Sequence, residues 1–356
     1  MSQKRFCDVF AEGGAGMAVT IADVARKAGV TNGTVSRALN DYPDILPETK
    51  RRIMEAAQEL GYVRNVSARN LSAKRPPNLA LIISGMLEGN SKDNLMYLLL
   101  QGVLNYTTEH HLELALYALD PMKERQSYTE FCRLHSISGA IVSGVTVDDP
   151  YLMDLISSDI PSVAIDIPVG SDKAGWISID NRAAACEAVE TLLEIGHKDL
   201  LIVAGKKNAD VNTVRMQGVQ DALENEGMHL SDCPRLYCDF SEEIAYEKTL
   251  LYLKNKKKKR PTAIFCFSDI MALGVMRAVR EVGLSIPQDI SVMGFDGLHL
   301  CELTIPTLST VHQDRREIGY EAAAMLHDIM EGRCRGGHRV LPYDVILRES
   351  VQEMNK

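Results

Sequence analysis

The sequence predicts a small all-α head, built on a helix-turn-helix pair, followed by an α/β body with two parallel sheets. Three observations carry this. Residues 19–40, VTIADVARKAGVTNGTVSRALN, read as two short helices interrupted by a glycine turn. Residues 20–75 hold ten Lys or Arg against six Asp or Glu, a local cationic surplus in a chain whose formal charge is −9. From Asn78 onward short apolar runs alternate with helical patterns, as expected of strands covered by helices on both faces.

Residues 1–18 contain no apolar run of signal-peptide type and read as a disordered extension, with Met17 a second candidate start. Thr20 then serves as an N-cap, with Asp23 three residues on to complement the first-turn amides, and Val24 and Ala28 share a face. Gly29 suits the left-handed position that stops a helix. Thr31 caps a second helix, in which Val35 and Leu39 again lie four apart. A third helix follows in PETKRRIMEAAQELGY, where Pro47 takes the first helical position, Ile53, Ala57 and Leu60 form the buried stripe, and Gly61 ends it. NVSARNLSAKRPP reads as a linker able to form one or two helical turns, too short to be a stable helix alone.

In the body the expected strands are LALIIS, LELALYAL, GAIVSGV, PSVAIDIP, DLLIVAG, PTAIFCF and ISVMGFD. Helices are expected around Ala185, Ala188, Val189 and Leu192, and around Ile318, Ala322, Met325 and Ile329. About 280 residues in this pattern suit two sheets better than one. The tract KNKKKKRP reads as a solvated helix end, its cations facing the negative helix terminus before a strand begins at Pro261.

Composition excludes several classes of function. With 46% hydrophobic and 24% charged residues and no apolar run long enough to cross a bilayer, the chain reads as soluble and cytoplasmic. Its 8 cysteines show neither a CxxC nor a nearby His pair, so neither a metal site nor a disulfide framework is expected. No phosphate-binding glycine loop, nucleotide fingerprint or nucleophile elbow is present, so no catalytic residues, no cofactor and no enzyme activity are expected.

The second helix points to nucleic acid. Asn32, Thr34, Ser36 and Arg37 are short or fork-shaped polar groups gathered in its N-terminal half, the end a recognition helix directs into a major groove. Arg37 suits the O6/N7 edge of guanine, and Asn32 suits adenine. A basic head on an acidic body is the charge distribution of a protein in which one module meets phosphates.

These segments, together with LPETKRRIMEAAQELGY, ISIDNRAAACEAVETLLEIGH, PTAIFCFSDIMALGV and ISVMGFDG followed by IPTLSTVHQD, resemble the LacI/GalR bacterial transcription regulators from Val19 almost to the last residue. The resemblance implies a helix-turn-helix head at 19–63, a hinge helix at 64–77, and a two-lobed body of periplasmic-binding-protein type crossed three times by the chain. The first lobe is expected at 78–178 plus 314–338, the second at 179–313 plus 339–356. It further implies that Asn32, Gly33 and Arg37 face base edges, that Thr31, Thr34 and Ser36 lie near phosphates, and that Leu71 wedges into the minor groove. Gly33 departs from the pattern, since a residue without a side chain reads no base by hydrogen bonding. Asp166, Arg215, Phe240, Ser268, Asp296 and Gln313 are placed around the cleft between lobes, where acids, an amide and a guanidinium can fix hydroxyls while Phe240 covers an apolar face. Each also has a structural use open to it: the acids as helix caps, Phe240 in the core, Arg215 as partner to an acid. The loop EGNSKDNLMY departs from the family as well, with Met96 and Tyr97 where many relatives carry an aromatic pair.

The implied function is a repressor that binds palindromic double-stranded operator DNA as a homodimer and is controlled by a sugar-like small molecule, with no membrane partner. The alternative is a regulator that answers to a protein co-effector and keeps only a vestigial cleft.

Overall fold

The computed structural model describes residues 19–39, 42, 44–62, 78–84, 94–118, 125–146 and 148–354. The wedge residue Leu71, and with it the hinge expected at 64–77, lies outside the described residues. The chain divides after Arg75 into two compact units.

In the first unit, α1 (Ile21–Ala28), α2 (Asn32–Leu39) and α3 (Pro47–Glu59) enclose a core of Val24, Ala25, Ala28, Val35, Ala38, Ile53, Ala56 and Ala57. Local signals set the boundaries. Thr20 N–H donates to Asp23 Oδ2 at 2.9 Å, and Gly29 takes φ 65°, stopping α1 while Val30 N–H reaches back to the Ala25 carbonyl at 3.0 Å. Thr34 N–H donates to Thr31 Oγ1 at 3.2 Å, which closes the start of α2. Leu46 precedes α3 without a side-chain cap and is 72% exposed, leaving Pro47 to set the first turn.

The second unit contains β1 (Asn78–Ile83), α4 (Asn94–Glu109), β2 (Glu113–Ala118), α5 (Tyr128–Leu134), β3 (Gly139–Ser143), α6 (Pro150–Ser157), β4 (Ser162–Ile165) and β5 (Ala174–Ile179). There follow α7 (Asn181–Glu194), β6 (Leu200–Ala204), α8 (Asp210–Asn225), β7 (Arg235–Tyr237), α9 (Glu242–Lys254), β8 (Ala263–Cys266), α10 (Asp269–Glu281) and β9 (Ser291–Asp296). The unit ends with β10 (Ser309–Gln313), α11 (Arg315–Met330), β11 (His338–Leu341) and β12 (Tyr343–Ile346). Two 6-stranded sheets result, ordered β11-β5-β4-β3-β1-β2 and β12-β10-β9-β8-β6-β7. All the pairings are parallel except β10 with β12.

The chain passes between sheets at Asp180, Asp314 and Pro342. Each aspartate caps the helix it enters: Asp180 accepts from Ala183 N–H, and Asp314 accepts from Arg316 and Glu317 N–H. The third passage corrects the expected boundary, because residues 339–341 belong to the first sheet. His338 through Leu341 pair in register with Trp176 through Ile179, and the His338 ring stacks on Trp176 at 5.2 Å. Pro342, which has no N–H to give a ladder, is where the chain leaves. The lysine tract also differs in detail: α9 stops at Lys254, β8 begins at Ala263, and Lys254, Lys259 and Arg260 pair with Glu281, Asp199 and Asp289.

Close helix pairs cover both sheets, each with glycine at the contact. A β-carbon on Gly102 of α4 would lie 1.9 Å from the Arg316 carbonyl oxygen of α11, and one on Gly218 of α8 would lie 2.1 Å from the Arg182 carbonyl oxygen of α7. Backbone cannot yield cheaply there. Gly218→Ala is therefore expected to lower unfolding free energy by about 1–3 kcal/mol. Gly33→Ala, in a helix with only Thr31 Oγ1 nearby at 3.8 Å, should instead raise it by about 0.5–1 kcal/mol. Chemical denaturation of the two variants checks this contrast, and equal effects would contradict it.

Candidate functional site

The head presents α2 as its chemical face. Val35 and Ala38 point into the core, which turns Thr31, Asn32, Gly33 and Arg37 outward and leaves Thr34 and Ser36 half-buried. Arg37 is ion-paired with Asp44, and its Cζ lies 5.6 Å from the centre of the Tyr42 ring. The remaining expected DNA contact, Leu71, has no described position.

In the body, four of the six expected cleft residues join one chain of hydrogen bonds and an ion pair at the crossings between sheets. It begins in the first lobe, where Asp166, immediately after β4 and at φ 63°, accepts from Arg315 Nη1 and from Ser178 Oγ, each at 2.6 Å. Ser178 Oγ accepts from Asn181 Nδ2 at 2.9 Å, and Asn181 Oδ1 accepts from Arg215 Nε at 2.9 Å. Arg215, on α8, also donates through Nη1 to the Phe267 carbonyl at 2.5 Å and lies 3.5 Å over the Phe295 ring. Its Nη2 is 3.9 Å from Asp296 Oδ1, which accepts from Gln313 Nε2 at 2.8 Å. The chain runs from Arg315 to Gln313, and its longest link is the Arg215–Asp296 ion pair, which is not a hydrogen bond.

The other two residues stand beside it. Ser268 caps α10, its Oγ accepting from Met271 N–H at 3.2 Å, one residue from the carbonyl that Arg215 grips. Phe240, half-buried at φ 59°, lays its ring on Gly205, where a β-carbon would come within 2.1 Å of it. Gly205 thus makes room for the ring. Tyr97 is 59% exposed and accepts from Gln101 Nε2 at 2.9 Å on its own helix. A second link between the lobes runs from Asn208, after β6, to both oxygens of Asp148, after β3, at 3.2 Å each.

Sequence reasoning missed Ser178, Asn181 and Arg315. ISIDN carries two of them and QDR the third, each pair of segments flanking a crossing, but nothing in spacing alone reveals that the crossings meet.

Burial dominates the electrostatics. Arg215 and Asp296 are 2% and 4% exposed. Burial pushes the Asp296 carboxyl up to about 7 against the pull of Arg215, while the neighbouring carboxyl of Asp269 raises it further. Asp269, held by Thr310 Oγ1 at 2.6 Å and Leu298 N–H at 2.8 Å, is itself raised to about 6 by burial. Arg215 falls to about 10 for the same reason, opposed by Asp296. Among the described residues no group of three His, Cys, Asp or Glu could hold a metal ion, and no helix is long and apolar enough to cross a membrane.

Known proteins match both units. Residues 20–65 match the bacterial regulatory proteins of the lacI family, and residues 189–351 match the periplasmic binding protein-like domain. The HTH-type transcriptional repressor CytR of Escherichia coli (strain K12) is 30% identical over 340 residues, 95% of this chain and 97% of that protein. The chain belongs to the LacI family. The lac repressor dimer bound to operator and the anti-inducer ONPF is 25% identical, with a TM-score of 0.80 over 93% of this chain and 98% of that one. A complex of the transcriptional regulator CelR with cellobiose is 26% identical, with a TM-score of 0.68 over 94% of this chain and 100% of that one. As a member of the LacI family the chain is a DNA-binding transcriptional regulator with a periplasmic-binding-protein-like effector module, and not an enzyme.

Two outcomes follow for this LacI-family core. Arg215→Met leaves Asp296 buried without its cation and should cost about 3–5 kcal/mol in denaturant melts of the body. Asp296 takes up its proton more readily folded than unfolded, so its contribution to stability is full below about pH 4 and is lost as pH rises toward about 7. Asp296→Asn should therefore gain stability relative to the wild type between pH 5 and pH 8, and a pH-independent difference would contradict the assignment.

Proposed function

We propose that this regulator is a homodimeric repressor whose two heads read a palindromic operator and whose body binds a hydroxyl-rich, sugar-like effector between its lobes. The observation that carries the DNA half is the exposed N-terminal face of α2, with Asn32, Gly33 and Arg37 outward over a core of Val35 and Ala38. Arg37 reads a guanine edge and Asn32 an adenine edge, while Thr31, Thr34 and Ser36 meet phosphates. Leu71 is the wedge at the operator centre.

The effector half rests on hydrogen-bonding supply. Asp296 Oδ2, Gln313 Oε1 and Asn212 Oδ1 are buried acceptors without a partner, and hydroxyl groups are the donors that would satisfy them. Asp166 and Arg215 complete the polar wall, Ser268 fixes the start of α10 beside it, and Phe240 supplies the apolar face. In the second lobe Leu303 and Ile305, 70% and 83% exposed, are apolar surface for a second copy to cover. A ligand that fits one lobe arrangement better than the other shifts the population, and with it the spacing of two heads on DNA.

Selection of bound sequences from a random duplex library at fixed salt should return a palindrome. Arg37→Ala should relax one base position by about 1–3 kcal/mol, whereas an even loss across all positions would place Arg37 on phosphate. Calorimetric titration of the full chain against neutral sugars should release heat with at least one of them. No heat from any sugar, together with binding to a carrier protein, would overturn the effector half.

A further inference from the structure

The DNA-facing arginine has two partners of its own in the head. Asp44 and Tyr42 both come from the connection between α2 and α3, and Tyr42 N–H donates to the Arg37 carbonyl at 3.2 Å, folding that connection back over the end of α2. The carboxylate and the aromatic ring thereby bracket the guanidinium at the surface, where the Arg37 and Asp44 side chains are 54% and 47% exposed.

An acid at this place works against simple attraction to DNA. Every cation near a phosphate adds to affinity for any duplex, and a carboxylate beside that cation subtracts from it. The loss falls unevenly. A guanidinium has five N–H donors in a rigid fork, so a carboxylate on one edge leaves donors for the two acceptors of guanine. A phosphate carries a full negative charge and is repelled by Asp44, whereas O6 and N7 of a base carry only partial charge.

We propose that Asp44 is the positioning residue for base recognition by Arg37: it holds the fork toward a base edge and disfavours the phosphate-bound alternative, supplying discrimination at the expense of affinity. The inference rests on the reading that Arg37 faces bases.

The test uses the full chain, its selected operator, a set of operators with each base pair replaced in turn, and a random duplex. Asp44→Asn should bind random duplex about threefold or more tighter, because one opposing charge is gone. The penalty for replacing the base pair read by Arg37 should shrink about tenfold, with other positions unchanged. Asp44→Glu should keep most of the discrimination. In an Arg37→Ala background Asp44→Asn should no longer alter the profile at that pair. Thermal melts of the head transition confirm that each variant is folded. If Asp44→Asn tightens every duplex by one common factor and leaves the profile intact, Asp44 is a surface anion and the proposal is wrong. If Arg37→Ala weakens all operators evenly, the base-reading role fails first and takes this one with it.

Discussion

A full positive charge sits in the interior of the body, and most of the site follows from what it requires. The Arg215 guanidinium has left water, so each of its donors must find an acceptor and its charge a counter-charge. Asn181 and the Phe267 carbonyl accept from two of those donors and Asp296 supplies the counter-charge, with Phe295 beneath the plane of the fork. Those partners come from α7, the segment between β8 and α10, and β9. Gln313 at the end of β10 then steadies Asp296. One buried cation therefore ties together the starts of α7 and α10 and the end of β9.

The same requirement reaches the first lobe. Asn181 uses its oxygen on Arg215 and its amide nitrogen on Ser178, and Ser178 passes its proton donor to Asp166, which Arg315 neutralises. Asn181 and Arg315 each follow directly on an aspartate at which the chain crosses between sheets, and Ser178 lies just before the first crossing. On the proposed reading, a ligand contacting Asp166, Arg215 or Asp296 acts on a chain of bonds that runs through two of those crossings. Coupling of this kind needs no long pathway, only two arrangements that the ligand binds unequally.

The sequence was most legible where packing alone decides. The expected helices at Ala185 to Leu192 and Ile318 to Ile329 lie within α7 and α11, with their stripes buried, and all seven apolar runs contain strands. Five further strands escaped for physical reasons. β7, β11 and β12 lie at sheet edges and are only partly buried, so they carry no apolar run. β10 is interior yet reads STVHQ, because polar side chains are satisfied inside: Ser309 Oγ donates to the Arg348 carbonyl at 3.2 Å and Thr310 Oγ1 to Asp269 Oδ1 at 2.6 Å. β5 hid behind Gly175 and Ser178, the latter kept polar by the site itself. Among the cleft residues the acids and Arg215 were legible by resemblance, while Ser178, Asn181 and Arg315 were not. Their role comes from the meeting of two crossings more than a hundred residues apart.

The central claim is that this polar chain links ligand and DNA. Its most direct test is the operator affinity of the full chain with and without a saturating sugar that binds it, compared between the wild type and Ser178→Ala. That substitution removes one hydroxyl and leaves Asp166 with Arg315 and Asn181 with Arg215. The expected result is a ligand effect on operator affinity of about 5- to 150-fold in the wild type, reduced severalfold in Ser178→Ala while sugar binding persists. An undiminished ligand effect in the variant would contradict the account.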